Sequence, residues 1–440
     1  MRRVVVTGLG IVSPAGIGKE AFWEKIATGT SATRPLAELA SSHLFGELGE
    51  LSFVSDSIAE VLDFEERART LPAEVRRLDR YIQFGVAGAL DALADAGLRA
   101  DGGAAGDRTG VAFATAVCGT RLMEEEYLNV TDRGRSEIDP SGAARDLYLA
   151  SMSNTPALVL SAMLGAQGPC VTLSTGCVGG IDAIGYAFEA VKYGDADIMI
   201  SGATEAPISP VTIGAFEIIH CLSQRHADRP HAASRPYDAQ RDGFVLGEGC
   251  GMVVLEELEH ARRRGAHIYM EIAGFSNTAN AVHMTDLLTD GADLARAMTD
   301  CLEQAGLEPT DVDYVNSHGS STPQNDACET SALKLALGEH AYRIPVNSTK
   351  SMLGHALSAA SAMEIVMCAL SLERSFVHPT INYEHPDPAC DLDYVPNEGR
   401  PWNGDVIVSD ASGFSGLHTA LLLRALPASA TPATGKEAVA

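Results

Sequence analysis

Cationic side chains are scarce: 32 Lys and Arg stand against 58 Asp and Glu, a formal net charge of −26. A surface of that sign repels nucleic acid and anionic lipid, so neither is an expected partner. An acidic partner would have to dock on a local cluster of positive side chains. Among nine cysteines there is no C-x-x-C, and nine is odd, so neither a zinc ribbon nor a disulfide framework is expected. No apolar run approaches the roughly 20 residues that a membrane span needs. "MRRVVVTGLG" opens like a short signal peptide, but the apolar run stops at Gly8 and continues as strand and turn. It reads as the first core strand of a cytoplasmic protein.

What is present is globular. The chain has 440 residues, 46% apolar and 20% charged, enough for a large core in two ordinary domains or one duplicated one. Strand and helix signals alternate throughout, which points to a layered α/β architecture. Strands are expected at 4–7, 110–114, 170–173, 197–201 and 251–255, then at 269–274, 313–317, 344–347 and 406–409. Helices are expected at 79–96, 179–193, 294–305, 326–337 and 356–373. The basic segment "EHARRRGAH" near the midpoint reads as a surface connector, and the Ala/Pro/Thr-rich stretch after Pro427 as a disordered tail.

Two segments echo each other. "CVTLSTGCVGGIDAIGYAFEAV" and "IPVNSTKSMLGHALSAASAMEIV" each run strand, Ser-Thr turn, glycine, then an apolar-striped helix. The first sets Cys177 at a helix start behind what reads as a buried strand, 170–173. Unpaired backbone N–H groups and the positive helix end favour a thiolate there, while a packed core thiol is the plainer reading. Flanking Gly176, Gly179 and Gly180 let backbone or substrate come close. The second segment carries Lys350 in its turn, His355 at its helix start and Glu364 nine residues on. In "YVNSHGSSTPQND", His318 follows directly on a strand, where α/β proteins place ligands, and Asp326 could orient its loop. A thiol, two imidazoles and a lysine at strand ends could hold an acyl thioester while charge develops on a second carbonyl. "SDASGFSGLHTALLL" adds a strand and a Gly-Phe-Ser-Gly turn, either a backbone donor to an oxyanion hole with Phe414 as a gate, or a hairpin turn with a core Phe. "TGLGIVSPAG" makes a poor dinucleotide site, because Pro14 interrupts the helix start and no ribose-binding acid follows.

These segments, with "RPYDAQRDGFVLGEGCGMVVLEELEHARRRGA" at 235–266, resemble the β-ketoacyl synthases, condensing enzymes of the thiolase superfamily, over residues 2–424. The resemblance implies the duplicated five-layer α-β-α-β-α thiolase fold, with halves 1–265 and 266–424 and a tail from 425. It implies Cys177 as the acyl-accepting nucleophile and His318 and His355 as the pair on the malonyl thioester carbonyl. Lys350 would be their electrostatic partner, with Glu364 and Asp326 in support. Phe414 would gate the thiol, its amide and that of Cys177 forming the oxyanion hole. The implied reaction is decarboxylative Claisen condensation without metal or cofactor, the phosphopantetheine arriving on an acyl carrier protein.

Within the family, "STGCVGGIDAIGYA", "HGSSTPQNDACETSALK" and "PDPACDLDYVPNEGR" are most similar to the chain-extending subunits of bacterial type II polyketide synthases. Those pair with a chain-length-factor subunit. A homodimeric β-ketoacyl synthase of fatty-acid synthesis shares every catalytic residue and stands as the alternative. A noncatalytic carrier-binding scaffold is disfavoured by the intact Cys177 and histidines. "CVGG" and "GFSGLH" depart from the usual Cys-Thr-Ser-Gly and Gly-Phe-Gly-Gly, which leaves the product class open. For carrier docking the cations at helix-like positions are Arg76 and Arg77, with Arg225 further on.

Overall fold

The computed structural model describes residues 1–39, 53, 55–99, 106–283 and 285–426. Ten strands form the framework. They are β1 (Val4–Ser13), β2 (Thr109–Ala114), β3 (Cys170–Leu173), β4 (Ile198–Glu205) and β5 (Gly249–Glu257) in the first half. The second half supplies β6 (Met270–Ala279), β7 (Tyr314–Asn316), β8 (Val346–Asn347), β9 (Val406–Gly413) and β10 (Leu417–Arg424). The order across the sheet is β8-β7-β9-β10-β6-β1-β5-β4-β2-β3. Each half therefore has its third strand outermost, then its second, fourth, fifth and first. In each, the outer two pairings are parallel and the inner two antiparallel. The halves meet where β1 lies antiparallel to β6, Val4 opposite Ile272.

Five principal helices complete the layers: α1 (Arg80–Asp95), α2 (Gly179–Tyr193), α3 (Ala292–Ala305), α4 (Pro323–Leu337) and α5 (Ser358–Arg374). The central layer is α2 against α5, each touching strands of both halves. Helix α1 covers the outer face of the first half, with α3 and α4 covering that of the second. The result is the five-layer α-β-α-β-α arrangement. Chain sequence accounts for the sorting. The first fourteen residues of α5, "SAASAMEIVMCALS", are small or apolar except Glu364 and all are buried, as a helix segment enclosed on all sides must be. Helix α2 buries Ile181, Ile184, Phe188 and Val191, each contributing roughly 1.5–3 kcal/mol. Outer helix α3 is amphipathic, burying only one stripe that includes Leu294, Met298 and Cys301. No helix among the described residues is long and apolar enough to cross a membrane.

Several expectations need correction. Strand β3 is an edge, not a buried strand: Cys170 is exposed and Val171–Leu173 only half-buried. An apolar run such as "CVTL" does not reveal on which side the sheet ends. The segment expected as a mere connector is a short helix, Leu258–Arg263, whose following Arg264 pairs with the buried carboxylate of Glu256. Strand β10 was not among the expected strands. The glycines of "TGLGIV" serve packing: a Cβ on Gly10 would sit 1.9 Å from the Gly88 carbonyl oxygen of α1. Ala425 and Leu426, assigned to the tail, are placed, with the Ala425 amide donating to Asp405 at 2.7 Å and Leu426 packing beside Val5. The rest of the tail lies outside the described residues.

Candidate active site

The chain reaches the site from the carboxyl ends of its parallel strands. After β3, Ser174 and Thr175 lead into a single 3₁₀ turn, Gly176–Val178, and then α2. Gly176 takes a φ of +65°, which a side chain would disfavour. At Gly180 a Cβ would lie 2.5 Å from the Ala362 nitrogen, so the small residue lets α2 abut α5. It is backbone, not substrate, that comes close there. Helix α5 then grips the turn: the Ser358 hydroxyl donates to the Gly176 carbonyl at 2.7 Å, and Ser361 to the Cys177 carbonyl at 3.1 Å. Thr175 donates to Asp182 in the first turn of α2. The thiol-bearing turn of one half is thus held by the helix of the other.

Cys177 is buried at 7% exposure in an apolar cluster with Ile208, Phe244 and Leu357, against which Phe414 also packs. The backbone N–H groups of Cys177 and Phe414 lie beside its sulfur and favour its anionic form. This is the pair of amides expected for an oxyanion hole. The expected resting thiolate does not follow. Burial pushes the thiol up to about 11, against the pull of Lys350 and the two amides. Desolvation of the anion outweighs the helix end, so the resting group is a thiol.

The second half supplies the rest. His318 leaves β7 with its main-chain N–H on the Glu329 carboxylate at 2.6 Å, and Gly319 adds a second amide at 2.9 Å. The Tyr237 hydroxyl donates to the same carboxylate at 2.5 Å. Lys350, 2% exposed, donates from Nζ to the His318 carbonyl and to Glu364 Oε1, each at 2.7 Å. His355 is pinned by its N–H to the Val245 carbonyl at 2.7 Å and by its carbonyl to the Gly247 N–H at 3.0 Å. Two residues on, Leu357 takes a φ of +48°, a strained conformation of about 1–3 kcal/mol that turns the chain into α5. The two imidazoles meet edge to face with centroids 5.2 Å apart, and Phe244 stands against His355 at 5.1 Å. Burial, and then Lys350, hold both imidazoles well below the usual histidine range, so they are neutral at pH 7. Their Nδ1 atoms have no hydrogen-bond partner among the described residues. Burial pushes Glu364 up to about 7, Lys350 pulling the other way.

A cavity of about 220 Å³ gathers these groups, lined by Cys177, His318, His355 and Phe414 together with Phe244 and Ser412. Its rim includes His220, Thr285 and Gln324. The arrangement can hold an acyl group on sulfur, stabilise an oxyanion with two amides, and offer two neutral imidazoles to a second carbonyl.

Of the expected residues, Cys177, His318, His355, Lys350, Glu364 and Phe414 come together. Asp326 does not join Lys350. Its carboxylate accepts the Tyr237 amide at 2.8 Å and faces Arg241, bracing the 235–241 loop. The acid beneath His318 is Glu329, three residues along α4 and on the same helix face, a spacing visible in "NDACET". Asp410, also unforeseen, places Oδ1 3.4 Å from the His318 N–H. Arg76 and Arg77 are exposed, but they lie in a turn before α1, not on a helix, and Arg77 pairs with Asp146. Arg225 is exposed, four residues after Cys221, which lines the cavity.

Comparison with known proteins gives the same outline. The family model for the β-ketoacyl synthase N-terminal domain matches residues 1–261, and that for its C-terminal domain residues 269–384. A putative polyketide beta-ketoacyl synthase 1 of Streptomyces cyaneus is 48% identical over 425 residues, 96% of this chain and 98% of that protein. Among solved structures, a type II polyketide synthase acyl carrier protein in complex with its hexaketide-bound ketosynthase contains a similar chain. It superposes with a TM-score of 0.87 at 43% identity, covering 97% of this chain and all of that one. The ishigamide ketosynthase/chain length factor gives 0.84 at 29% identity, again over 97% of this chain and all of its own.

Proposed function

The chain belongs to the β-ketoacyl synthase family of condensing acyltransferases, and we propose that in it this chain is the extending ketosynthase of a type II polyketide synthase. The observation that carries the proposal is the convergence of Cys177, under two amides, with two neutral imidazoles on one cavity.

In the first half-reaction the Cys177 sulfur attacks the thioester carbonyl of an acyl-pantetheine. The sulfur–carbon bond forms, the old thioester bond breaks, and the pantetheine thiol leaves with the proton. The amides of Cys177 and Phe414 receive the transient oxyanion. Because the resting group is a thiol, its proton has to leave as the bond forms, and a neutral imidazole is the base within the cavity. In the second half-reaction the malonyl thioester carbonyl sits between His318 and His355. Carbon dioxide departs, and its bonding electrons pass into an enolate whose oxygen those imidazoles stabilise. Neutral rings suit this task, since a charged one would bind the malonyl carboxylate and oppose its loss. The enolate carbon attacks the acyl–Cys177 carbonyl, the thiolate leaves, and a β-ketoacyl chain two carbons longer remains on the carrier. Lys350, tied to Glu364, fixes the main chain of His318. No group beyond the carrier's phosphopantetheine is called on, and the cytoplasm is the compartment assigned.

The second subunit is inferred from β3. It ends the sheet with Cys170 exposed, and Leu158 of the neighbouring helix Thr155–Leu164 is 53% exposed. An open edge with apolar neighbours favours pairing with another chain of the same fold, here a chain-length factor. Product mass tests the assignment. The purified chain is incubated with acyl- and malonyl-carrier proteins, with and without a chain-length-factor-like subunit. Polyketide formed only with that subunit is the expected result, while efficient single-round elongation by the chain alone would favour the homodimeric fatty-acid enzyme.

A further inference from the structure

One buried acid beside the nucleophile has no part in the steps above. Glu205 ends β4 and is fully buried. Its carboxyl accepts the Ala116 amide and the Thr115 hydroxyl, the latter at 3.3 Å, and it lies beside the Val117 amide and the Ser358 hydroxyl. Ala116 and Val117 pack on the apolar cluster that holds Cys177. Ser358 is the residue whose hydroxyl donates to the Gly176 carbonyl. We propose that Glu205 is a positioning residue for Cys177, acting through Ser358 on the turn that carries the thiol and through two amides on the wall beside it.

The chemistry of a single hydroxyl sharpens the proposal. Ser358 has one proton and meets two acceptors, the Gly176 carbonyl and the Glu205 carboxyl. With Glu205 protonated, the acid donates to the Ser358 oxygen and Ser358 donates onward to Gly176, so the relay is complete. With Glu205 ionised, the carboxylate competes for that proton and sets a negative charge near the sulfur. Burial pushes Glu205 up to about 8, despite its donors, so both forms lie within the working pH range. The titratable groups facing it are Cys177 at the turn, Cys118 beyond β2 and Tyr81 on α1, with Lys350 the cation acting on Cys177 from the other side.

The inference rests on Cys177 being the nucleophile, but its test does not need condensation. Glu205→Gln keeps an oxygen for the amides and an N–H for Ser358 while removing the charge. Glu205→Ala removes the brace. Cys177 alkylation by iodoacetamide is followed by peptide mass spectrometry from pH 6.5 to 9.5, with the exposed Cys170 as internal control. The ratio of the Glu205→Gln rate to the wild-type rate should climb by about threefold or more across that range, half a unit of thiol acidity. Condensation lost in Glu205→Ala should be restored in good part in Glu205→Gln. A flat ratio at Cys177, or a climb matched at Cys170, would overturn the proposal, and Glu205→Gln decides it even where the alanine variant does not fold. Failure of the ketosynthase reading would show separately, as condensation surviving Cys177→Ala.

Discussion

In the first half of the molecule the turn after the outermost strand opens α2 with a thiol. In the second half the equivalent turn, after β8, carries Lys350 and leads through His355 into α5. The strand order around both turns is the same, yet the surroundings differ. The β8 edge is closed by the chain's own 376–397 excursion: Val346 donates to the Asp393 carbonyl, Ser348 to the Thr380 hydroxyl, and Asn347 to the His378 carbonyl. The β3 edge is open among the described residues, with Cys170 at the surface. One half is finished internally and carries a fully buried set of paired charges and imidazoles. The other carries the candidate nucleophile and ends at a strand edge left unpaired among the described residues. Duplication supplied two similar scaffolds, and the chemistry came from which side chain each places at its last turn.

The comparison can be broken most sharply at the thiol. Cys177→Ala should lower condensation by about 10³-fold or more while carrier binding persists, measured as product mass against carrier affinity. Unchanged product would remove the first half from the chemistry altogether. The buried pair of the second half comes next. Glu364→Ala strands the Lys350 ammonium and should cost about 3–5 kcal/mol of stability in a urea melt, whereas Cys170→Ala on the open edge should cost within about 0.5 kcal/mol. Equal costs would deny that the two last turns differ in burial and pairing as described.

Dividing the chemistry between halves predicts separable steps. Both rings serve the decarboxylation but one is enough to take the Cys177 proton, so His318→Ala or His355→Ala should cut malonyl decarboxylation about 10²- to 10³-fold and slow transfer of an acyl chain onto Cys177 far less, as read by acyl-enzyme mass. The pH dependence refines this. Both rings are neutral because burial, and then Lys350, hold their pKa well below the usual histidine range. Decarboxylation should therefore persist as pH falls from 7 to 5.5, failing only lower. An ordinary imidazole of pKa about 6.5 would already be about nine-tenths protonated at pH 5.5. The smallest effect belongs to the surface. Arg225→Ala should weaken carrier binding by less than about 1 kcal/mol, raising KM with kcat unchanged, and Arg77→Ala less still because Asp146 already engages it.

The sequence was informative where a local pattern decides the structure. Strand 170–173 and helix 179–193 appear with the bounds expected of them, since the small-residue turn between them leaves little freedom. His318 was legible because it follows closely on a strand, and Cys177, Lys350 and His355 because they stand in the small-residue segments that lead from a strand into a helix. What escaped depends on the third dimension. Glu329 looks like any helical acid until α4 is laid under His318, and Asp326, one turn away, faces a different loop. The run "LHTALLLR" fits helix and strand equally until pairing with β9 makes it β10. Whether Cys177 is a thiolate turns on desolvation, which no spacing encodes.

The most direct test follows an acyl group through the site. Wild-type protein is incubated with an acyl-carrier protein bearing a labelled chain, the acyl-enzyme is digested, and its peptides are mapped by mass. Malonyl-carrier protein is then added to an undigested portion. The account predicts label on Cys177 alone, discharged by malonyl-carrier into a product two carbons longer with release of carbon dioxide. Label on another residue, or label on Cys177 that malonyl-carrier cannot discharge, would contradict it.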